Sequence, residues 1–187
     1  MRLLIILLLL QFSLSTGAQD KTYHGNGIDD YIQYVPTVTA FTLKFCGVEG
    51  ASSWKRRLTN AVCAYALTTG TSWVLKKTIS ERRPDGTDDQ SFPSGHATVA
   101  FTGATVLLKE YGRVSPWIPV AGYAVATAVA VDRVCRNRHH WYDVTAGAAI
   151  GIGGTLLGYW IGDKLTGEHS RYSVSMSPTG VALAYEL

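Results

Sequence analysis

The chain has few charged residues and few cysteines, and each scarcity excludes a class of protein. Asp, Glu, Lys and Arg make up 17% of the 187 residues, and hydrophobic residues make up 47%. This composition is unlike that of disordered or nucleic-acid-binding chains, and the length fits one domain with its own core. The three cysteines match neither a disulfide framework nor a zinc spacing, so we interpret them as small buried hydrophobic residues: Cys46, Cys63 and Cys135.

The N-terminal segment has the pattern of a secretory signal. Arg2 precedes the apolar run Leu3–Leu10, and the small residues Thr16 and Ala18 follow. We expect residues 1–18 to be a signal peptide, with retention as an uncleaved anchor as the alternative. The run is short for a helix that spans a bilayer. Residues 19–187 are expected to form one domain outside the cytoplasm.

Apolar segments with few charges occupy most of the remaining chain and predict helices. They are Tyr31–Val48, Leu58–Leu75, Thr98–Leu108, Val114–Val131 and Val144–Gly162. Alternating residues around Pro178-Thr179-Gly180 predict a short hairpin near the end of the chain. The expected fold is therefore an all-α bundle of about five to six helices with a C-terminal β-hairpin.

The helical segments leave membrane insertion open. Several are long enough to span a bilayer, but the mean hydropathy of the chain is only +0.08. If they do span, the basic clusters Lys55–Arg57 and Lys109–Arg113 can share the cytoplasmic side, as the positive-inside rule requires. A soluble bundle would bring the polar motifs together equally well. We favour seating in a membrane.

Two histidines between the fourth and the fifth predicted helix are candidates for the nucleophile of a phosphoryl transfer. His139 and His140 lie four and three residues before Asp143, so either could share a helical face with this carboxylate. A carboxylate on one imidazole nitrogen leaves the other nitrogen as an aligned lone pair for attack on phosphorus. The gap of five residues after Arg133 favours His139.

The block Pro93-Ser94-Gly95-His96 precedes an apolar helix. Ser94 suits the N-cap, Gly95 allows close approach of an anion to the backbone, and His96 can protonate a leaving alkoxide. Lys76, Arg83 and Arg133 can surround a phosphate. Lys77 and Arg82 are neighbours that only the spacing disfavours.

These blocks resemble the signature of the type 2 phosphatidic acid phosphatase (PAP2) superfamily. The matching elements are Lys76-x6-Arg83-Pro84, Pro93-Ser94-Gly95-His96 and Arg133-x5-His139-x3-Asp143, and together they cover residues 76 to 143. The resemblance implies that His139 forms a phosphohistidine, that Asp143 orients it, and that His96 is the general acid. It implies phosphate binding by Lys76, Arg83, Ser94, Gly95 and Arg133, with no metal or other cofactor.

Charged residues beside the blocks add three expectations. Asp132 stands where the family usually has Ser, so its carboxylate should face away from the phosphate, toward Arg136. Arg136 and Arg138 are either solvated loop charges or contacts for a second anionic group. A solvated turn with Gly86 is a better interpretation than a cation site for the acidic residues Asp85, Asp88 and Asp89.

The resemblance and the apolar segments together predict a bacterial lipid phosphatase. Candidate substrates are lipid A, undecaprenyl diphosphate and phosphatidyl lipids, and no nucleic-acid partner is expected. The expected location is the inner membrane with the site facing the periplasm, or the periplasm itself. A soluble non-specific acid phosphatase is the alternative, and a non-catalytic membrane assembly protein is a more distant one. Lipid phosphatases and soluble acid phosphatases share this active site with vanadate-dependent haloperoxidases. The haloperoxidases usually have a larger scaffold than this short chain.

Overall fold

The computed structural model describes residues 27–168, 172–177 and 180–185, and this part of the chain contains six helices. They are α1 Asp29–Ile32, α2 Val35–Phe45, α3 Trp54–Thr78, α4 Gly95–Tyr111, α5 Trp117–Cys135 and α6 Trp141–Thr166. Strands β1 Tyr172–Ser177 and β2 Gly180–Tyr185 pair antiparallel, with Tyr172 opposite Tyr185. The predicted helical fold class is confirmed. The predicted signal peptide lies outside the described residues.

The helix boundaries differ from the sequence prediction by a few residues, and two of the differences have a local cause. The segment predicted from Tyr31 is divided into α1 and α2, and Pro36 lies in the first turn of α2, where its missing N–H is tolerated. Helix α3 begins at Trp54, four residues before the uncharged window, because Ser53 caps it by accepting from the Arg56 N–H at 3.1 Å. The uncharged segment therefore predicts the position of α3 correctly, but the helix is longer than that segment.

Glycines on α6 let two other helices pack closely against it. Added Cβ atoms at Gly154 and Gly158 would lie 2.5 Å from Thr68 and Ala64 of α3. On another face, a Cβ at Gly147 would lie 2.6 Å from the Ser94 carbonyl at the start of α4. The Gly- and Ala-rich composition of this segment therefore provides helix contacts with small residues at four-residue spacing, as in close-packed membrane helices.

The alternating direction of α3 to α6 places all three sequence blocks at one end of the bundle. Helices α3 and α5 end there, and α4 and α6 begin there. A backbone hydrogen bond of 3.0 Å from Ser94 N to the Asp143 carbonyl ties the starts of α4 and α6 together. Residues distant in sequence are thus held around one opening.

The opposite end of the bundle contains buried ion pairs. Arg57 and Glu110 are fully buried and lie 2.9 Å apart, from Nη2 to Oε2. Arg56 contacts both carboxylate oxygens of Asp163, at 2.8 and 2.9 Å. Two of the three cations in the predicted basic cluster are therefore neutralised inside the protein, and Lys55 is the one that is exposed.

The interpretation of the cysteines as buried hydrophobic residues is wrong for two of them. Cys46 and Cys135 are exposed and Cys63 is half-buried, and all three are free thiols. Cys135 is the last residue of α5, and Cys46 directly follows α2. Both residues lie at the end of a helix, beyond the region where neighbouring helices pack, so no neighbouring helix in the described part of the chain covers them.

Candidate active site

A cavity of about 360 Å³ opens at the end of the bundle where the sequence blocks meet. Five cations, two histidines, two glycines and one carboxylate line it: Lys76, Arg83, Arg133, Arg136, Arg138, His96, His139, Gly27, Gly95 and Asp30. The volume suits a small ligand or the head of a larger one. The excess of positive charge favours an anion.

His139 reaches this cavity because of the turn between α5 and α6. The Arg133 carbonyl accepts hydrogen bonds from the backbone N–H groups of Arg138, at 3.0 Å, and His139, at 3.2 Å. Asn137, which lies between Arg133 and Arg138, has a φ of 53°. This is the left-handed region, which Asn adopts more readily than most residues. The turn explains the five-residue gap, since it brings His139 back beside Arg133.

His139 and Asp143 form a buried pair behind the cavity. Their side chains are 2% and 0% exposed, and His139 Nδ1 lies 3.5 Å from Asp143 Oδ2. The same carboxylate oxygen accepts from the Ser91 hydroxyl and, at 2.9 Å, from the His140 N–H. Asp143 is therefore held in place by two hydrogen bonds to the oxygen that faces His139. The distance of 3.5 Å is longer than that of a normal hydrogen bond, and catalytic hydrogen bonds often tighten only when substrate is bound.

The surroundings of His139 keep its imidazole neutral. Burial lowers the pKa of His139 well below 6.5, and the charges of Arg83, Lys76 and Arg133 lower it further. Arg83 Nη1 lies 3.3 Å from His139 Nε2, and an arginine can only donate. The lone pair is therefore on Nε2 and the proton is on Nδ1, facing Asp143.

His140 has different surroundings from His139. Its side chain is 33% exposed, and its ring stacks on Tyr142 with centroids 4.9 Å apart. Its Nδ1 lies 3.4 Å from Asp143 Oδ2, so it shares the carboxylate, but it is not among the residues that line the cavity. Of the two histidines that the sequence left as alternatives, only His139 faces the cationic pocket.

His96 faces the cavity from the first turn of α4 and contacts an acidic residue. Its Nε2 lies 2.6 Å from Asp30 Oδ1 and 3.8 Å from Asp29 Oδ2. Burial and the charge of Arg133 lower the pKa of His96, whereas the two carboxylates raise it. The net effect is a lowered pKa, so the carboxylates oppose but do not cancel the effect of burial.

Arg133 is anchored by Asp29 and has a free donor. Its Nη1 donates to Asp29 Oδ2, and Arg136 Nη1 donates to the other oxygen at 2.6 Å. Asp29 is 2% exposed and Arg133 is 6% exposed. The buried Nε of Arg133 has no protein partner. An unpaired buried donor is costly.

Lys76 and Gly95 lie on facing sides of the cavity. Lys76 Nζ donates to the Gln90 carbonyl at 2.9 Å, and burial together with Arg83 lowers the pKa of Lys76 to about 8. A Cβ at Gly95 would meet only Lys76 Cε, at 4.0 Å. The backbone at the start of α4 is therefore open to the cavity between the lysine and the helix N-terminus, which favours an anion.

Ser94 lies at the N-cap of α4, as the sequence predicts. Its Oγ accepts from the Ala97 N–H at 3.4 Å, and its side chain is fully buried. Ser94 is not among the residues that line the cavity. Its position supports the geometry of the helix start and the tie to Asp143.

The acidic turn before Pro93 holds two arginines of the site. Arg83 Nε donates to Asp88 Oδ1 at 2.8 Å, and Arg138 Nη1 donates to Asp85 Oδ2 at 2.8 Å. The predicted turn at Gly86 is present, with φ of 74°. Two of its carboxylates, however, are ion-paired with cavity arginines and are not merely solvated. The interpretation of the turn as merely solvated is therefore wrong for Asp85 and Asp88.

Asp132 is turned toward Arg136, as expected from the sequence. Its Oδ2 lies 3.5 Å from Arg136 Nη1, and its side chain is 40% exposed. It does not line the cavity. The carboxylate at this position therefore leaves the space for an anion unobstructed. Arg136 and Arg138 both line the cavity and are not solvated loop charges.

Sequence reasoning missed three residues of the site: Asp29, Asp30 and Ser91. Nothing in the local sequence marks Asp29 and Asp30 as site residues, although they contact Arg133 and His96. They are separated from these partners by 104 and 66 residues. No local spacing encodes such contacts. Ser91 is closer to the motif, but an isolated serine gives no signal.

Two acidic groups in the described part of the chain have ligand atoms close enough for a metal. They are Asp29, Asp30 and His96, and Glu81, His140 and Asp143, each with atoms within 4.8 Å of one another. In the first group Asp29 is paired with two arginines. In the second, Glu81 accepts from the Tyr142 hydroxyl. Hydrogen bonds and ion pairs therefore account for both groups.

Two helices are long and apolar enough to cross a membrane, judged by length and composition. They are Trp117–Cys135 and Trp141–Thr166, each with a mean hydropathy of 1.4 in its most apolar window. Both have an end at the cavity. A core helix can pass the same test, so the exposed surface must be considered as well.

Comparison with known proteins gives consistent matches. The chain is 37% identical over 175 residues to the lipid A 1-phosphatase of Porphyromonas gingivalis, covering 90% of this chain and 39% of that protein. It is 36% identical over 92 residues to an undecaprenyl-diphosphatase of Sulfolobus acidocaldarius, covering 49% of this chain and 36% of the relative. The chain thus spans about two fifths of the length of these relatives.

A solved structure shares the fold. The crystal structure of Aquifex aeolicus LpxE matches 70% of this chain and 82% of its own, with a TM-score of 0.55 and 23% identity. The family model of the PAP2 superfamily matches residues 84–166, which include the second and third sequence blocks. With the site geometry and the relatives, these matches identify the chain as a member of the PAP2 superfamily.

Proposed function

We propose that the chain is a metal-independent phosphatase that removes phosphate from a membrane lipid through a phosphohistidine intermediate. The observation that carries this proposal is the buried His139–Asp143 pair behind a cavity lined by five cations. Cations around the equatorial oxygens stabilise the charge of a phosphoryl-transfer transition state. The nucleophile is a neutral imidazole whose second nitrogen faces a carboxylate.

In the proposed first step, the Nε2 lone pair of His139 attacks phosphorus and the bond to the leaving oxygen breaks. His96 gives its proton to that oxygen, while Asp143 stabilises the positive charge that develops on His139. Lys76, Arg83 and Arg133 contact the phosphoryl oxygens, together with the backbone at Gly95. Ser94 supports this binding through the geometry of the helix start, since its own N–H is bonded to the Asp143 carbonyl. In the second step, His96 takes a proton from water, which attacks phosphorus and frees His139.

The relatives and the surface support a lipid substrate. The matched proteins include a lipid A 1-phosphatase and an undecaprenyl-diphosphatase. The cavity lies at one end of a bundle whose sides carry exposed apolar residues, such as Leu58, Val62 and Leu157. A lipid headgroup can therefore enter the cavity while its chains follow the sides of the helices. Lipid A, undecaprenyl diphosphate and phosphatidyl lipids remain the candidate classes.

This function predicts phosphate release from a lipid phosphate in the presence of EDTA. Purified protein in mixed micelles is tested against lipid A, undecaprenyl diphosphate, phosphatidic acid and a water-soluble phosphate monoester. We expect release from at least one lipid, faster than from the soluble ester and unchanged by the chelator. A preference for the soluble ester would favour the acid-phosphatase alternative. No release from any substrate would contradict the enzyme proposal.

The tryptophans support a position across a membrane. All five are at least 44% exposed: Trp54, Trp73, Trp117, Trp141 and Trp160. On α3 and on α6 the two tryptophans are 19 positions apart, which is about 28 Å at the rise of an α-helix. The hydrocarbon core of a bilayer is about 30 Å thick, and tryptophan favours its two interfaces.

The tryptophans near the two ends of α3 and α6 support a position of the site at the level of the lipid headgroups. Trp73 and Trp141 lie near the end of the bundle with the cavity, and Trp54 and Trp160 lie near the other end. We infer that the bundle is seated in a bacterial envelope membrane with the cavity at one surface. The periplasmic side is the proposed orientation, because the exposed cations Lys55 and Arg113 lie near the opposite end.

This position predicts a specific pattern of tryptophan fluorescence quenching in proteoliposomes. Because all five tryptophans lie near helix ends, lipids brominated close to the headgroup should quench more strongly than lipids brominated near the chain terminus. Carbonate extraction of envelopes should leave the protein in the membrane pellet. Release by carbonate, with no quenching by either lipid, would place the protein in solution.

A further inference from the structure

We propose that Asp30 is a positioning residue for His96, which it orients and whose protonated form it favours for transfer to the leaving group. This inference rests on the proposed function, because it assigns the residue that controls the general acid. Asp30 belongs to none of the sequence blocks. It lies in the short helix α1, 66 residues before His96.

The geometry of the contact determines which nitrogen can release a proton. His96 Nε2 and Asp30 Oδ1 are 2.6 Å apart, which is the distance of a strong charge-assisted hydrogen bond. An ionised carboxylate only accepts, so the Nε2 proton stays in this bond. The proton that moves to the leaving oxygen is therefore the one on Nδ1. After transfer, His96 is neutral with its remaining proton still on Nε2.

The charges around His96 make such a carboxylate necessary. Arg133 of α5 lowers the pKa of His96, in addition to burial, and Lys76, Arg83, Arg136 and Arg138 share the same cavity. Against them stand Asp30, in direct contact, and Asp29, at 3.8 Å. Asp29 also forms ion pairs with Arg133 and Arg136. These two cations offset most of its negative charge. Asp30 is the carboxylate that favours the charged imidazole by direct contact, and Asp29 adds to this effect without a hydrogen bond.

The site thus contains two histidine–carboxylate pairs with opposite tasks. His139 is 2% exposed and close to Arg83, so it stays neutral and can attack. The side chains of His96 and Asp30 are 23% and 33% exposed, and their contact is short. Different surroundings for two chemically identical groups are a common way to assign a base and an acid.

The test is the pH dependence of kcat/KM for the Asp30→Asn variant. Loss of the carboxylate lowers the pKa of His96, so the protonated acid disappears at a lower pH. We expect the alkaline limb to move down by about one pH unit, while the acid limb does not move. The matched control is Asp89→Asn, which removes the same charge from an exposed position. Its profile should coincide with that of the unmodified protein.

The leaving group separates control of an acid from a structural role. An alkyl phosphate needs a proton on its leaving oxygen, whereas a nitrophenyl phosphate leaves as a stable anion. Asp30→Asn should therefore lose at least about tenfold on the alkyl ester and much less on the aryl ester. A variant that is merely misfolded would lose equally on both. In a His96→Ala background, Asp30→Asn should cause no further loss, since residues acting as a unit are not additive.

Each failure has its own signature. An unmodified protein that releases no phosphate from either ester overturns the proposed function. A normally active protein, whose Asp30→Asn variant keeps the alkaline limb and loses equally on both esters, overturns the role of Asp30 alone. Asp30→Glu, which keeps the charge, should restore part of the alkyl-ester activity. Failure of both variants with the same aryl-to-alkyl ratio as the unmodified protein would also contradict the inference.

Discussion

Replacing His139 with alanine should reduce phosphate release by at least about 10⁴-fold, the scale on which loss of a nucleophile acts. The imidazole directs Nε2 toward the cavity arginine Arg83 and has the Asp143 carboxylate on its other nitrogen. Its neutrality, caused by burial and by Arg83, means that no deprotonation is needed before attack. The measurement is phosphate release from the best lipid substrate.

The matched control for this change is His140→Ala. This variant keeps the backbone N–H that donates to Asp143 at 2.9 Å, and it removes an imidazole that lies outside the cavity. Activity should stay within about threefold of the unmodified protein, as for most changes away from reacting atoms. Transient labelling with radioactive phosphate should give a protein adduct that survives alkali and is lost in acid. An active His139→Ala variant, or loss only in His140→Ala, would assign the nucleophile to His140.

The position of His139 at the cavity could be predicted because its geometry is local. The gaps from Arg133 to His139 and from His139 to Asp143 correspond to one helix end, one left-handed residue and one helix start. Ser94 likewise acts through the next turn of its own helix. Short-range hydrogen bonding fixes such contacts, so the pattern of residues carries the information.

The carboxylates around the site could not be predicted in the same way. Asp29 reaches Arg133 only because α1 packs against the ends of α4 and α5, which is a property of the folded bundle. The burial of Arg56 and Arg57 is another such case, because a basic cluster in sequence predicts a solvated loop. Whether a charge is exposed depends on distant acidic partners, here Asp163 and Glu110.

The exposed cysteines show that the burial of a small apolar residue cannot be predicted from its residue type either. Cys46 and Cys135 have suitable side chains for a core, but they lie where helices leave the bundle. Glycine was more informative than cysteine in this chain, because its effect depends on close approach within a regular helix. The faces of α6 follow from the four-residue spacing of Gly147 with Gly151 and of Gly154 with Gly158.

The buried pair Arg57–Glu110 provides the largest expected change in stability. Glu110 accepts hydrogen bonds from Arg57 at 2.9 Å, Ser52 at 2.9 Å and Tyr159 at 2.8 Å. Replacing Arg57 with methionine leaves this carboxylate buried without a cation, which costs about 3–5 kcal/mol. For a chain of this length that corresponds to a loss of roughly 10 °C in Tm. Thermal unfolding in detergent measures it.

Two further variants separate the pair from a general effect of charge. Lys55→Met removes a neighbouring cation that is 67% exposed and 3.8 Å from Glu168, so its effect on stability should stay below about 1 kcal/mol. In Arg57→Met/Glu110→Gln the buried charge is gone, and the double variant should be more stable than Arg57→Met alone. Because the pair lies at the end of the bundle opposite the cavity, Arg57→Met should keep its phosphatase activity below its unfolding temperature. Equal Tm values for Arg57→Met and Lys55→Met would show that the pair does not stabilise the fold.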